Sequence, residues 1–478
     1  MLSEVGLMKK FAFALLAILL LAILPGFVAG ESGYNGYSEK LEEHYVVSWD
    51  GSANITFITT FYGPPELLNK TKESIVQMGI ENATRMFIQQ EVQALSKKGI
   101  TLENATGRIE GYNTTGPLVS IVSGRALNVA RYYTYGNVWE INLDLLRTAD
   151  LAGINPTKFN QSFDFDNYYV IQLPQGAKIK EVPPSYKKQS NGSYVLIQTS
   201  VEGDTVKIHS RIHFAKGVTM ADIQAIYGQP RAFIIQYTGR KGSEGNYTKW
   251  ILNVENNITV GNAVTIMNTS QEYIQPQEYI NYLKMQVAYQ GEEKVIQSIY
   301  QSYAKSFQEQ GIGIKSWNIK LLNVKSPGPL IVKLNWVLTN YTKYSNGVYT
   351  YTYDPTLGLG GIQSLNRIEA EINQTVTTRI KLPDGAKFTK IPSNIDIEAN
   401  GSKVIMTVEK LSDREIVIRS QVFIRYGMET KDYSSMMAKV PTKVEFQYTV
   451  SKKSGGSICG PALIVSLVVV PLLLRRRR

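Results

Sequence analysis

The middle of this chain contains the same sequence pattern twice. A shift of about 210 positions places residues of the same type on one another, in the same order. The matched segments include Glu66 with Glu278, Lys72 with Lys284, Gly116-Pro117-Leu118 with Gly328-Pro329-Leu330, and Asn191-Gly192-Ser193 with Asn400-Gly401-Ser402. This agreement predicts a tandem duplication, with one copy at residues 44–241 and the other at residues 246–450. We therefore expect two similar domains in the 478 residues.

Each copy contains a stretch with helical periodicity. Between Glu66 and Lys98, apolar residues recur at intervals of three and four, as one face of a helix requires. Those in the first copy are Ala83, Phe87, Ile88, Val92 and Leu95, and their counterparts are Val295, Ile299, Tyr300, Ala304 and Phe307. The pattern predicts one long amphipathic helix in each copy, ended by Gly99 or Gly311.

After this stretch the apolar period changes to two. Apolar and polar residues alternate from Val206 to Phe214 and again from Ile416 to Ile424, which is typical of a strand with one buried face. Asn191-Gly192 and Asn400-Gly401 are typical hairpin turns. The predicted fold class is α+β, with two tandem homologous domains that each pack a long amphipathic helix on an antiparallel sheet.

The first thirty residues have the features of an export signal. Lys9 and Lys10 precede an apolar run at residues 11–24, and small residues end with Gly30. We predict a signal peptide at residues 1–30 that is cleaved between Ala29 and Glu31. A retained membrane anchor is the alternative, but the run is shorter than the ~20 residues that a spanning helix needs.

The C-terminus has an unusual order of residues. A Ser/Gly linker at residues 451–458 leads to Cys459, which is the one cysteine of the chain, so an intramolecular disulfide is excluded. Gly460 and Pro461 follow, then an apolar stretch and four arginines. A short apolar stretch that ends in positive charge stalls in a membrane with its basic end on the cytoplasmic side.

The tail at residues 459–478 resembles the CGP-CTERM sorting signal of surface proteins from Thermococcus-like hyperthermophilic archaea. The resemblance covers about the last twenty residues alone. It implies that the tail is removed and that Cys459, followed by Gly460 and Pro461, is attached to a membrane lipid. The protein would then be anchored to the outer face of the cytoplasmic membrane. A plain C-terminal membrane helix is the alternative.

Asn-x-Ser/Thr sequons are dense in this chain, and together with the export signal they predict a glycoprotein. The thirteen asparagines are Asn54, Asn69, Asn82, Asn104, Asn113, Asn160, Asn191, Asn246, Asn257, Asn268, Asn340, Asn373 and Asn400. The net charge of +11 does not indicate nucleic-acid binding, because Arg475–Arg478 supply +4 and Lys9, Lys10 and Glu4 supply +1, which leaves 11 − 4 − 1 = +6 for the rest. We expect no nucleic-acid partner.

Candidate catalytic and metal-binding residues are few. His209 and His213 lie on the alternating strand, where four residues separate them by roughly 13 Å, too far to share one ion. Asp164 and Asp166 are single carboxylates of the kind found in surface turns. The acidic residues present in both copies have local structural explanations; they are Glu66, Asp144, Asp204, Glu278, Asp354 and Asp413. We predict no catalytic residue, metal or cofactor.

The remaining candidates for function are aromatic side chains, which can stack on sugar rings or anchor a protein partner. The tryptophans are Trp49, Trp139, Trp250, Trp317 and Trp336. We predict an exported, membrane-anchored archaeal surface glycoprotein that binds or supports an envelope protein or a saccharide. Two alternatives are an extracellular hydrolase, for example one acting on polysaccharide, and a ligand-binding protein that serves a transporter.

Overall fold

The computed structural model of the protein describes residues 36–146, 161–228, 233–261, 263–362 and 366–450. The predicted signal peptide, the linker and the sorting tail lie outside these ranges. The chain is divided into two compact units, and the division falls between Gly245 and Asn246. Strands account for 52% of the described residues and helices for 21%.

Two sheets form the first unit. The large sheet contains β1 (Gly36–Val47), β2 (Ala53–Gly63), β3 (Thr101–Glu110), β4 (Leu118–Leu127), β7 (Ser162–Gln172), β9 (Tyr186–Ser190), β10 (Ser193–Glu202) and β11 (Thr205–Phe214). The small sheet contains β5 (Ala130–Tyr133), β6 (Val138–Leu143), β8 (Lys178–Glu181) and β12 (Phe233–Thr238). The strand orders are β3-β4-β2-β1-β7-β11-β10-β9 and β5-β6-β12-β8. β1 and β7 are parallel, and the other paired neighbours are antiparallel.

The second unit repeats this arrangement. Its large sheet contains β13 (Thr248–Val260), β14 (Thr265–Gln275), β15 (Gly313–Leu322), β16 (Leu330–Thr339), β19 (Ala370–Lys381), β21 (Ile395–Ala399), β22 (Ser402–Ser412) and β23 (Glu415–Ile424). Its small sheet contains β17 (Lys343–Ser345), β18 (Val348–Tyr353), β20 (Ala386–Lys390) and β24 (Val444–Val450). Adding twelve to each strand number of the first unit gives the strand order of the second in both sheets.

Helices connect the strands at equivalent places in the two units. The first unit has α1 (Pro65–Met78), α2 (Ile80–Lys97) and α3 (Met220–Tyr227). The second has α4 (Gln277–Gln290), α5 (Glu292–Glu309) and α6 (Thr430–Met437), with a 3-10 turn at Leu359–Gly361. Within the described ranges, none of these helices combines the length and hydropathy that a bilayer crossing requires.

The predicted α+β class, with one long amphipathic helix on an antiparallel sheet, is wrong. The stretch from Glu66 to Lys98 is two helices, because Gly79 between them adopts φ +84°, which ends α1 and redirects the chain. Gly291 does the same between α4 and α5, with φ +87°. Strands outnumber helices in both units, and each large sheet is mixed because one central pair is parallel. The units are therefore mainly β.

The predicted apolar positions of the helical stretch nevertheless face the interior. Ala83 and Leu95 of α2 are buried, and Ile88 and Val92 pack against the main core of the first unit. That core also includes alternate residues of the large sheet and residues of the small sheet, such as Ile141. The helices and the small sheet thus contribute to the core on which one face of the large sheet lies.

The other face of the large sheet carries the polar half of the alternation. In β1 the residues at odd positions from Tyr37 to Val47 are buried, whereas those between them are half-buried or exposed. β7 and β11 show the same alternation in the same register. We call this surface the open face of the first unit; it includes Lys40, Glu42 and His44 of β1, Asp164, Asp166 and Tyr168 of β7, Tyr194 and Gln198 of β10, and Lys207, His209, Arg211 and His213 of β11.

The two Asn-Gly pairs form the tight turns expected from the sequence. Asn191 and Gly192 have φ of 45° and 83° and join β9 to β10. Asn400 and Gly401 have φ of 51° and 81° and join β21 to β22. Positive φ at both central residues gives the twist that a two-residue hairpin needs.

Candidate binding face of the first unit

All three histidines of the chain lie on the open face of the first unit. His44 is on β1, and His209 and His213 are on β11. Each lies near a carboxylate of the same face. The second unit contains no histidine, and its residues equivalent to the β11 pair are Arg419 and Phe423. This concentration distinguishes two surfaces that otherwise share one backbone arrangement.

His209 is the centre of a row of side chains across the sheet. Its Nε2 lies 2.5 Å from Asp166 Oδ1, and its ring stacks on the Tyr168 ring with centroids 4.2 Å apart. Lys40 Nζ lies 5.0 Å from the centre of the Tyr168 ring, which is within the range of a cation–π interaction. Burial raises the pKa of Tyr168, and the nearby Asp166 carboxylate raises it further. The phenol therefore stays neutral around neutral pH.

A second histidine pair lies farther along β11. His213 Nδ1 is 2.7 Å from Asp164 Oδ1, and its ring stacks with Tyr194 at a centroid distance of 5.3 Å. Asp164 and Asp166 are therefore strand residues with histidine partners, and neither is in a surface turn. The sequence contained a signal for this pairing. Asp164 and Asp166 are two residues apart, so they share one face of a strand, and His209 and His213 share one face of another.

A cavity of about 700 Å³ lies beside this row, where β9 begins opposite the middle of β10. Its polar lining residues are Ser185, Lys187, Gln198, Thr199, Ser200, Lys207 and His209. The Tyr168 ring and the side chains of Val170 and Leu196 supply apolar surface, and apolar atoms make up the larger part of the lining. None of the described residues that line it carries a carboxylate. We call it the unit 1 cavity.

Two lining residues, Thr199 and Lys207, differ in their polar contacts. The Thr199 Oγ1 atom is buried and has no hydrogen-bond partner among the described residues. The Thr199 backbone N–H donates to Ser185 Oγ over 3.5 Å, which is a long and weak bond. Lys207 Nζ lies 2.5 Å from Glu202 at an exposed position, so this ion pair is screened by water. A buried hydroxyl without a partner costs free energy unless a ligand or water supplies the missing bond.

The equivalent positions of the second unit have the opposite charge. The strand register places Asp396 at the position of Lys187 and Glu409 at that of Ser200. Val417 replaces Lys207, and Arg419, which replaces His209, is bound to Glu409 at 2.7 Å. The two units therefore share the backbone arrangement at this surface but differ in its charge. In the second unit it carries acidic residues, one of them in an ion pair with Arg419, whereas in the first unit it carries lysines.

The predicted glycosylation sites are almost all accessible. Of the twelve described sequon asparagines, eleven are exposed; they are Asn54, Asn69, Asn82, Asn104, Asn113, Asn191, Asn246, Asn257, Asn268, Asn340 and Asn400. Asn373 is half-buried, and its Oδ1 accepts a hydrogen bond from Gln421 Nε2 at 3.0 Å. Asn160 lies outside the described residues.

The sequons are unevenly placed on the two open faces. In the second unit, Asn257 and Asn268 are cross-strand neighbours on that face, and Asn373 lies on it as well. The open face of the first unit has Asn54, which is on β2 and three strands from β11. No described sequon asparagine lines the unit 1 cavity.

The other predicted site residues lie apart from one another. The lipid-anchor residues Cys459, Gly460 and Pro461 are outside the described ranges. Asp144 forms an exposed ion pair with Lys98 at 3.4 Å, and Asp354 accepts bonds from backbone and side chain of Thr356 within its own turn. In the described part of the chain, no three His, Cys, Asp or Glu side chains converge as metal ligands would.

The tryptophans considered for ligand stacking are partly core residues. Trp336 is fully buried against Tyr303 and Phe307 of α5. Trp139 is buried and donates a hydrogen bond from Nε1 to the Arg240 carbonyl at 2.8 Å. Neither ring is available to a ligand, so the aromatic surface of interest is the Tyr168 and Tyr194 side of the open face.

Comparison with known proteins adds little. No family model matches the chain, and no curated protein matches it by sequence. One solved structure, a candidate protease from Parabacteroides distasonis, is similar over 87% of this chain and 100% of its own length, with 8% sequence identity and a TM-score of 0.20. A likeness at this level supports no inference about fold or activity.

Proposed function

We propose that this protein is an exported archaeal surface glycoprotein that is anchored through Cys459 to the outer face of the cytoplasmic membrane. Its role is binding or structural, and its binding role lies on the open face of the first unit. The observation that supports this best is the exposure of eleven of the twelve described sequon asparagines.

The two ends of the chain supply the rest of the argument. The apolar run at residues 11–24 with its small-residue ending suits cleavage after Ala29, and the Cys459 tail suits a sorting enzyme at the outer face. The cluster of histidine, tyrosine and lysine side chains on the open face supports a binding role, because exposed groups held in place by neighbours favour ligand recognition.

The proposal is tested by mass spectrometry of the protein purified from membranes. We expect an N-terminus near Glu31, no peptide from residues 462–474, and glycans on the exposed asparagines. Asn373 serves as an internal control, since its half-buried amide should remain unmodified. Cys459→Ser should release the protein into the medium. A mature chain that retains residues 8–24 or its C-terminal tail, or that carries no glycan, would contradict the proposal.

A further inference from the structure

We infer that the unit 1 cavity binds an anionic saccharide. This inference rests on the proposed binding role of the open face, but not on export or anchoring. It starts from the lining of the cavity, which combines two lysines, a histidine, an amide and three hydroxyls beside a tyrosine ring. Such a surface offers hydrogen-bond partners and positively charged side chains around an apolar area formed by Tyr168, Val170 and Leu196.

The charge of the lining selects an anion. Lys187 and Lys207 contribute ammonium groups, of which that of Lys207 is also paired with Glu202 at an exposed position, and no carboxylate is present among the described lining residues. The equivalent surface of the second unit carries Asp396 and Glu409. Because the two units share one strand order, the difference in charge is a property of this site and not of the fold. A carboxylate or a sulfate on the ligand would pair with an ammonium group of the lining.

The hydroxyl and amide groups select a sugar over a simpler anion. Ser185, Gln198 and Ser200 are exposed donors and acceptors of the kind that pair with sugar hydroxyls. The volume of about 700 Å³ is in the range of pockets for a small organic ligand and is much larger than one inorganic anion needs.

The edge of the sheet argues against a peptide that would add as a strand. β10 continues past its last partner on β9, which leaves its edge at Gln198 and beyond available in principle. However, Ser185 already accepts the Thr199 N–H, and Pro183 and Pro184 precede it without N–H groups to donate. A strand at this edge would have to displace that segment.

The placement of the sequons agrees with a ligand site here. A glycan is a bulky, hydrated group that blocks the surface around it. The open face of the second unit carries Asn257, Asn268 and Asn373, whereas that of the first unit carries Asn54, and no described sequon asparagine lines the cavity. The duplicated face with fewer sequons is the one with the basic cavity.

The test is a calorimetric titration of the purified full-length chain with defined oligosaccharides. The probes are a galacturonic acid tetramer, a sulfated tetrasaccharide, a neutral maltotetraose and a pentaglutamate peptide. We expect binding of the uronate or the sulfated sugar with Kd below ~1 mM, and at least ~10-fold weaker binding of the neutral sugar and of the peptide. The relative affinity of the two anionic sugars shows whether the site prefers a carboxylate or a sulfate.

Neighbouring lysines provide the matched control. Lys187→Asp introduces the residue found in the second unit and should weaken binding at least ~10-fold. Lys188→Asp makes the same change of charge one residue along β9, outside the cavity lining, and should change the affinity less than ~2-fold.

Three results would overturn the inference. They are the absence of binding by both anionic sugars, equal binding of the neutral sugar, and preferred binding of the acidic peptide. An equal effect of Lys187→Asp and Lys188→Asp would also overturn it, because the attraction would then be general to the surface. The titration is made in solution, so a failure here leaves the tests of export, anchoring and glycosylation independent.

Discussion

A lysine that joins a helix to a turn in each unit allows the duplicated architecture to be tested quantitatively. Lys72 of α1 is 6% exposed, and its Nζ donates to the carbonyl oxygens of Thr114 at 2.7 Å and of Gly116. These two residues lie in the turn between β3 and β4. In the second unit, Lys284 of α4 donates to Ser326 and Gly328 at 2.8 Å each, in the equivalent turn. The lysine thus joins a helix to a turn in both units.

Lys72→Met retains the aliphatic stem and removes both bonds. A hydrogen bond to a charged group contributes about 1.5–3 kcal/mol. The lower end applies here, because burial lowers the pKa of Lys72 and thus opposes its charge, and because water can reach the exposed Thr114 after the change. Two bonds then give a loss of about 3 kcal/mol. For a unit of this size, each kcal/mol lowers the melting temperature by about 2–4 °C, so the expected fall is about 6–12 °C.

Differential scanning calorimetry of the full chain measures this fall. Hydrogen exchange assigns the affected transition, which should be that of the first unit alone. Lys284→Met should lower the transition of the second unit by less, because Lys284 is only half-buried. Lys180→Met, at an exposed position of β8, is the control and should change neither. A shift for Lys72→Met no larger than that of Lys180→Met would refute the reasoning.

Two further predictions concern the turns of the first unit. The bond from the Thr219 hydroxyl, followed by that from Ser190, lowers the pKa of Asp222 from 3.8 to about 2. A carboxyl with a depressed folded-state pKa stabilises the fold above pH ~4 and loses that effect as the pH falls toward 2. Asp222→Asn should therefore reduce the change of the urea unfolding midpoint between pH ~4 and pH ~2. Gly51→Ala should lower the free energy of unfolding, measured in urea, by about 2 kcal/mol or more, since φ is +81° and the new Cβ would lie 2.3 Å from the Ala130 carbonyl oxygen. Gly176→Ala has open space around the new Cβ and should lower it by about half as much.

Local sequence patterns predicted local structure well. The steps of four and three from Ala83 to Leu95 identified the core-facing side of α2, and the alternation from Val206 to Phe214 identified β11. The Asn191-Gly192 turn needs only its two residues to form. In each case the determining interactions lie within one element or one turn.

The errors arose where distant segments decide the structure. The apolar steps used to predict the long helix begin after Gly79, so they carried no information about the break there. The class was wrong because many strands of the large sheet are short or polar on one face, and only their pairing reveals the sheet. The contact of His209 with Asp166 joins residues 43 positions apart on neighbouring strands, and it requires the register of β7 and β11.

The two units share one backbone arrangement but have different surfaces. Residues that maintain the fold are retained in both, as Lys72 and Lys284 show by bonding equivalent turns. On the open faces, by contrast, the first unit carries the histidines and the basic cavity, whereas the second carries Glu409 paired with Arg419 and more sequons. Because the requirements of the fold are the same at equivalent positions, folding alone does not explain this difference. The proposed ligand on one face and the proposed glycans on the other would account for it.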